Sequence, residues 1–419
     1  MSSYRFVRSA LLLALAATPS LASVRGMFVT SVSGNGALQT WGTSSGLSGL
    51  PGGDKICQTV ADLAGVPNSA DYVAWLSDAT DDAYCRVAGF SGKKSANCGQ
   101  SSLPDAGPWQ RRDGQPFARS LSELTNVGAV LYPGYLDESG VKIPTTFLAH
   151  TGTTFSGELD TTDRICAGWS SASTTTPPFS RVGGAQLGGF AWTQTALAPC
   201  SNTSRLFCFE RGSGDPLPPY AAPAAIAFAT SVTRSGDLGS WPEAMGQTGL
   251  AAGDQICRTL AGAASLPFAD SFVAWLSHSQ NAIAAPDRLP IDGPWARVDQ
   301  VEIVSAKSGL SAVDPVPLLL GASLDVDELG GHVGNQALTG TLITGAFAPG
   351  ADCDGWTDDT GASSGEYGFP QQTTGSWTES PSDVDCTAFY RIYCFGDVVL
   401  LHWDHFESGD LGRWSSVAP

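Results

Sequence analysis

The chain has 419 residues and a formal net charge of −18, from 22 basic and 40 acidic side chains. Charged residues make up only 15% of it, and its 49 glycines and 26 prolines indicate a folded, loop-rich protein of two or three domains. Because a polyanion requires a basic face, this balance argues against nucleic acid and heparin-like sulfated polysaccharides as partners.

Residues 1–22 have the pattern of a secretory signal peptide. Arg5 and Arg8 supply the positive start, Ala10–Ala17 the apolar run, and Ser20-Leu21-Ala22 a small-x-small cleavage site. The apolar run is too short to span a bilayer, so we expect no membrane span and a secreted, periplasmic or cell-surface protein. All ten cysteines follow the cleavage site, and an oxidising compartment predicts disulfides.

A block of the chain repeats without a gap. Residues 28–77 return as residues 228–277, and 22 of the first 49 aligned positions are identical. The stretch Val73-Ala74-Trp75-Leu76-Ser77 is unchanged in the second copy. Self-similarity at a fixed offset indicates two copies of one fold.

These copies define the predicted domain organisation. The first repeat covers residues 27–210 and the second repeat covers residues 226–396. Between them, residues 211–225 form a Pro-rich linker that we expect to be extended and semi-rigid. Residues 397–419 form a C-terminal tail that is too short to fold alone.

Each repeat begins with the same predicted elements. Residues 28–32 form a β-branched run that predicts a strand, and residues 34–53 predict a long glycine-rich loop. Asp54 is the expected N-cap of a helix that places Cys57 in the core and ends near Gly65. Further on, Ser120-Leu121-Ser122-Glu123 has the capping-box pattern, which predicts a second, short helix.

The first repeat contains an insertion. Trp75 to Trp109 spans 34 positions and Trp275 to Trp295 spans 20, so the first repeat is 14 residues longer here, and the extra segment contains Cys85 and Cys98. Neither cysteine has a counterpart in the second repeat. An insertion that brings two cysteines most simply carries its own disulfide, so we predict Cys85–Cys98.

Four cysteines remain in each repeat, and three connectivities are open to four cysteines. They occur in a fixed order: one in the first helix, one in a Cys-x-Gly-Trp sequence, and two in a Cys-x7-Cys pair that follows a tryptophan. The last cysteine lies in an alternating sequence typical of a strand, such as Arg205-Leu206-Phe207-Cys208-Phe209.

This order resembles the C-type lectin-like fold. The opening strand, the glycine-rich loop and the Ala-Trp-Leu-Ser block are more similar to its endostatin-like (collagen NC10-type) branch, and specifically to bacterial secreted domains of unknown function related to that branch. The resemblance covers about 185 and 170 residues, most of the mature chain. It implies an α+β fold class with two tandem domains, each a mixed or antiparallel twisted sheet with two short helices and long disulfide-tied loops.

The resemblance also implies nested bridges in each repeat. The outer bridge joins the first helix to the last strand, and the inner bridge closes the loop before that strand. The implied pairs are Cys57–Cys208 with Cys166–Cys200 in the first repeat, and Cys257–Cys394 with Cys353–Cys386 in the second.

The calcium-dependent sugar site of such lectins is expected to be absent. No Glu-Pro-Asn or Gln-Pro-Asp sequence occurs, and threonine follows Trp192 and Trp377 where the lectins have Asn-Asp. The calcium candidate is an acidic loop found in the second repeat alone. Its carboxylates are Asp352, Asp354, Asp358, Asp359 and Glu366. For Asp137-Glu138 and Asp327-Glu328 we favour a solvated or hydrogen-bonded turn over a cation site.

Catalysis has little support in the sequence. The five histidines occupy no equivalent positions in the two repeats, and no hydrolase, metalloprotease or nucleotide-binding motif occurs. The zinc site that endostatin-like domains build from N-terminal histidines has no counterpart here. The repeated tryptophans are expected in the core rather than as sugar platforms.

The sequence therefore favours a secreted, non-enzymatic binding or adhesion protein with no required cofactor. Its partner would be an extracellular or envelope protein or a glycan. The alternatives are a structural envelope protein, or an enzyme with a site in the acidic loop 352–366. The tail resembles a short ending found on secreted bacterial proteins, which suggests a sorting address; otherwise it docks on the second repeat through residues 398–401.

Overall fold

The computed structural model describes residues 24–144, 148–217, 222–312 and 320–400. The predicted signal peptide and the end of the tail, residues 401–419, lie outside this range, as do residues 218–221 of the predicted linker. Within it, no helix is both long enough and apolar enough to cross a membrane.

Eight strands of residues 24–210 form one mixed sheet. Its spatial order is β4-β3-β1-β8-β5-β6-β7, with β2 also paired to β8. Antiparallel β1 and β8 lie at its centre, whereas β3 runs parallel to β1 and β5 runs parallel to β8. The strands are β1 (Arg25–Val29), β2 (Tyr72–Ala74), β3 (Trp109–Gln110), β4 (Pro116–Ala118), β5 (Leu148–His150), β6 (Phe179–Gly184), β7 (Ala196–Pro199) and β8 (Arg205–Glu210). The helices are α1 (Gly49–Leu63), α2 (Ala83–Val87), α3 (Leu121–Asn126) and α4 (Cys166–Trp169).

The second repeat has the same arrangement. Its larger sheet has the order β12-β11-β9-β17-β13-β15 with β10 paired to β17, and β14 and β16 form a separate pair. Its strands are β9 (Ala225–Ala229), β10 (Val273–Ala274), β11 (Trp295–Ala296), β12 (Glu302–Val304), β13 (Ala337–Leu338), β14 (Ser364–Gly365), β15 (Tyr367–Gly368), β16 (Val384–Asp385) and β17 (Arg391–Phe395). Its helices are α5 (Gly249–Ala263), α6 (Ala285–Arg288) and α7 (Cys353–Trp356). Helices and mixed sheets together make an α+β fold.

Helix α1 begins earlier than predicted. Asp54 is not its N-cap: the helix starts at Gly49, and Ser48 occupies the cap position without a side-chain hydrogen bond. The Asp54 carboxylate instead accepts hydrogen bonds from the Ala74 N–H and the Arg86 guanidinium. The helix is therefore fixed by contacts with β2 and α2 and not by a local cap. By contrast, the predicted cap of α3 is confirmed, since the Ser120 side chain accepts from the Glu123 N–H.

Five disulfides cross-link the two repeats internally. They join Cys57 to Cys208, Cys85 to Cys98, Cys166 to Cys200, Cys257 to Cys394 and Cys353 to Cys386. These are the pairs expected from the insertion and implied by the resemblance. In each repeat the outer bridge ties the long helix to the central strand, which brings the two ends of the repeat together.

The repeated tryptophans form the core of each sheet. Trp75, Trp109 and Trp192 surround Phe209 at centroid distances of 5.5–6.0 Å. The second repeat places three tryptophans around Phe395 in the same way. All of these rings are buried. The indole of Trp75 donates to the Thr193 hydroxyl over 2.8 Å, so the residue that follows Trp192 completes the core.

The two repeats meet at a junction with a small apolar centre. Leu131 and Tyr132 of the first repeat pack with Val301 and Ala322 of the second, and Leu217 covers them. A hydrogen bond lies next to this centre, since the Glu302 N–H donates to the Tyr132 hydroxyl over 3.0 Å. The described start of the predicted linker also pairs with the first repeat, because Gly214 donates its N–H to Gly107 O.

The described part of the tail pairs with the second repeat. Leu400 and Ala224 exchange both backbone hydrogen bonds, at 3.0 and 3.3 Å. The Asp397 N–H also donates to the Ser271 hydroxyl. Residues 397–400 therefore extend the repeat beyond its predicted end, while the proposed sorting segment lies outside the described residues.

Candidate functional site

The acidic loop of the second repeat does not converge on a common point. Asp352 caps α7 and accepts from Ser279, and Asp354 accepts from the Gln280 amide. Asp358 accepts from the backbone and hydroxyl groups of Thr360 and Ser363. Nowhere in the described ranges do three or more histidine, cysteine, aspartate or glutamate side chains come together in a way that could hold a metal ion. Asp358 thus serves a local turn, whereas Asp352 and Asp354 bind residues far earlier in the chain, and the calcium candidates Asp352, Asp354, Asp358, Asp359 and Glu366 do not form such a group in the described ranges.

The paired acidic turns are structural in both repeats. Asp137 accepts from the N–H groups of Ser139 and Val141, which closes the turn. Glu138 binds the backbone and hydroxyl of Ser31, next to the end of β1. In the second repeat, Asp327 accepts from the N–H groups of Leu329 and Gly331, and Glu328 accepts from the backbone and hydroxyl of Ser231. The hydrogen-bonded-turn interpretation therefore holds at both places.

Glu366 is buried, as Asp352 is, with only 4% of the residue exposed. One carboxylate oxygen accepts from the N–H groups of Tyr367 and Ser380, at 2.9 and 2.8 Å. Burial nevertheless raises the pKa of the Glu366 carboxyl to about 7, and the nearby Asp383 and Glu379 charges act in the same direction. In the first repeat the equivalent position is Arg181, which forms an ion pair with Asp160.

We predict that Glu366→Gln removes a pH dependence of stability. The folded-state pKa lies above the unfolded value of about 4.3, so the stabilisation by protonated Glu366 is complete below pH 4.3 and disappears as the pH rises through 7. The wild-type protein should therefore lose at most about 3 kcal/mol between pH 5 and pH 8 from this group. The glutamine variant should show a flatter profile in urea unfolding across this range. Equal slopes for both proteins would contradict the assignment.

His150 and His278 both lie close to polar side chains of other elements. His150 is fully buried, and its Nδ1 lies 2.6 Å from the Ser180 hydroxyl. Burial lowers the pKa of His150 to about 4, so its ring is neutral at physiological pH. His278 lies with Nδ1 3.5 Å from Asp352. His150 thus joins β5 to β6 and to the loop at Gly34, and neither histidine is equivalent to a histidine in the other repeat.

The best candidate for a binding site is a groove in the second repeat, with a volume of about 440 Å³. Its walls combine two aromatic rings, one proline and three carboxamides, without a charged side chain. The lining residues are Asn335, Gln336, Phe369, Pro370, Gln371 and Phe389. Phe389 is 70% exposed, so its ring is accessible to a ligand. We call this site the amide groove.

The carboxamides of the amide groove have unused hydrogen-bonding capacity within the described part of the chain. Among the described residues, the structure shows no hydrogen bond from the side chains of Asn335, Gln336 or Gln371 to another protein group. Each carboxamide offers both a donor and an acceptor. Together with the Phe369 and Phe389 rings, they suit a ligand that presents hydroxyl or amide groups on one side and an apolar face on the other.

The amide groove is specific to the second repeat. From the strand register, Phe369 occupies the position of Gly184, and Phe389 occupies the position of Thr203. Both aromatic rings are thus absent from the corresponding surface of the first repeat. Sequence reasoning did not find these residues, because a comparison of the repeats identifies only what the two copies share. The available signal was an aromatic residue in one repeat where the other has glycine or threonine.

The amide groove lies beside the junction between the repeats. The carbonyl of Gln371 accepts the Gly188 N–H of the first repeat over 2.7 Å. Two residues further on, the Thr373 hydroxyl donates to the Gln186 carbonyl over 2.7 Å. Ligand sites are common at such interfaces. No protein-family model matches this chain, and a search of curated proteins finds no similar sequence.

Proposed function

We propose that the chain is a secreted, non-catalytic binding protein built of two tandem C-type lectin-like, endostatin-like domains. In this proposal the second domain binds an uncharged extracellular glycan in the amide groove, without calcium. The nested disulfides, the central antiparallel strand pair and the tryptophan core support the domain assignment. The observation that carries the binding role is the groove itself, with its open carboxamides and exposed Phe389.

Charge decides between classes of ligand. The groove has no charged lining residue, and the chain as a whole carries a net charge of −18. An anionic ligand would meet repulsion with no local cation to offset it, and a cationic ligand would find no carboxylate in the groove. A neutral sugar satisfies carboxamides through its hydroxyl groups and stacks its apolar face on aromatic rings.

In this proposal, the residues at the positions of the lectin calcium ligands serve the packing of the core and do not bind calcium. The threonines that follow Trp192 and Trp377 accept hydrogen bonds inside the core: Thr193 accepts from the Trp75 indole, and Thr378 accepts from the Trp275 indole. In the acidic loop, Asp358 is held in a local turn and Asp352 caps α7. Binding in the amide groove is therefore expected to survive a chelator.

We predict that Phe389→Ala lowers affinity for a retained neutral glycan by about tenfold or more, because aromatic anchors contribute most of the energy at such sites. The full chain would be applied to an array of neutral and anionic glycans and extracellular-matrix proteins, with and without EDTA, and dissociation constants measured for the hits. Phe268→Ala is the matched control, since Phe268 is 58% exposed in the same repeat but lies outside the groove.

Three results would count against this function. They are retention of anionic ligands alone, loss of binding in EDTA, and equal effects of the two phenylalanine substitutions. If a matrix protein bound and this binding depended on Phe389, the amide groove would still be the binding site, but its ligand would be a peptide and not a glycan.

A further inference from the structure

We propose that the first repeat determines the shape of the amide groove, although every residue lining the groove belongs to the second repeat. Gly189 is the positioning residue: it leaves the space in which the Gln371 side chain lies. The inference rests on the proposed function only for the use of the groove, because the positioning itself is independent of any ligand.

The contact between Gly189 and Gln371 depends on the missing side chain of glycine. A Cβ atom at Gly189 would lie 2.2 Å from Gln371 Nε2, 2.7 Å from its Cδ and 3.1 Å from its Cγ. The Gln371 side chain therefore lies directly across the Gly189 backbone. Its Nε2 is also 3.9 Å from where a Cβ of Gly334 would be. The carboxamide is thus confined between a glycine of each repeat.

The backbone next to this carboxamide is also held by the first repeat. Leu187 and Gln372 form an antiparallel bridge across the junction, flanked by the hydrogen bonds Gly188 N–H to Gln371 O and Thr373 Oγ1 to Gln186 O. Gly188 itself is confined, because a Cβ there would lie 2.0 Å from the Ser323 hydroxyl. Two successive glycines thus allow the close approach of the two repeats.

This arrangement has a thermodynamic consequence. If docking of the repeats places Gln371 in the groove, docking favours a ligand that uses this carboxamide. Because such coupling is reciprocal, the ligand stabilises the docked arrangement by the same free energy by which docking strengthens ligand binding. It also gives the first repeat, which lacks the aromatic rings of the groove, a role in binding.

The test uses the full chain labelled with ¹⁵N in its glutamine side-chain amides. The NMR signal of Gln371 is the one that disappears in Gln371→Leu. In Gly189→Ala the added methyl meets the far end of a flexible side chain, so we expect the Gln371 signal to shift while the other glutamine signals stay in place. Gly114→Ala is the matched control: Gly114 also has a positive φ, of 83°, but no atom lies within 4 Å of the added Cβ.

A second variant tests the backbone contacts. Thr373→Val removes the hydrogen bond to Gln186 O from outside the groove lining, so exchange of the Gly188 amide hydrogen should become about tenfold faster. Thr125→Val is its control, since the Thr125 hydroxyl donates over the same 2.7 Å to Leu121 O within the first repeat. An unchanged Gln371 signal in Gly189→Ala, or equal effects of each variant and its control, would overturn the proposal. Neither measurement needs a ligand, so failure to bind glycans would leave it standing.

Discussion

Replacing Cys57 and Cys208 together by alanine is expected to lower the free energy of unfolding of the first repeat by about 5 kcal/mol. The bridge closes a segment of 151 residues, and the denatured chain regains the corresponding loop entropy when it is removed. Both cysteines are fully buried between α1 and the central strand, so lost packing adds to the effect. Urea unfolding without reductant, followed by tryptophan fluorescence, measures the change.

The other bridges provide graded controls. Removal of Cys166–Cys200, with a separation of 34 residues, should cost about 4 kcal/mol. Removal of Cys85–Cys98, with a separation of 13, should cost about 3 kcal/mol. The outer bridge of the second repeat spans 137 residues and should match that of the first. If the short bridge proved as stabilising as the outer one, loop entropy would not be the main cause.

The features of the fold that could be predicted are those that depend only on the order and spacing of residues in the chain. Cys85 and Cys98 stand in an insertion with no counterpart, so their pairing follows from counting. Ser120 is a local cap, which needs only Glu123 three residues later. The tryptophans recur in order in both repeats and are buried in both.

The start of α1 could not be predicted from local propensity. Its first turn contains Gly49, Pro51, Gly52 and Gly53, a sequence that disfavours a helix in isolation. Gly53 is required for packing instead, since a Cβ there would lie 2.7 Å from the Leu76 side chain. Tertiary contact overrides propensity here, and the Asp54 carboxylate is used by residues 20 and 32 positions away.

The amide groove could not be predicted from the sequence for a different reason. The amide groove is built from residues that differ between the repeats and depends on how the repeats dock. Comparison of the two repeats identifies the residues that each copy requires for its own fold. It carries no information about the surface through which one copy contacts the other. The acidic loop was a misleading signal, because residues close in sequence can each be used by a separate turn, as Asp352 and Asp358 are.

The junction contains a buried arginine that makes the two repeats unequal. Arg297 is fully buried and binds both oxygens of Asp299, at 3.0 and 2.7 Å, and Asp325 at 2.9 Å. It also donates to Val130 O of the first repeat over 3.2 Å. Burial alone would lower the pKa of Arg297, but the two carboxylates raise it above its usual value. The equivalent Arg111 binds Asp113, and Tyr135 stands where the second repeat has Asp325.

We predict that Arg297→Met lowers the free energy of unfolding by about 3–5 kcal/mol, because Asp325 is fully buried and would be left without its cation. Arg111→Met, the matched control, should cost only about 1–2 kcal/mol, since the side chain of Asp113 is 39% exposed and can be rehydrated. The double variant Arg297→Met with Asp325→Leu should recover more than half of the loss, because it removes the stranded charge along with the arginine. Urea unfolding of the three variants at pH 7 measures these values. Equal losses for the two arginines, or no recovery in the double variant, would mean that Arg297 acts through packing and not through the charge it neutralises.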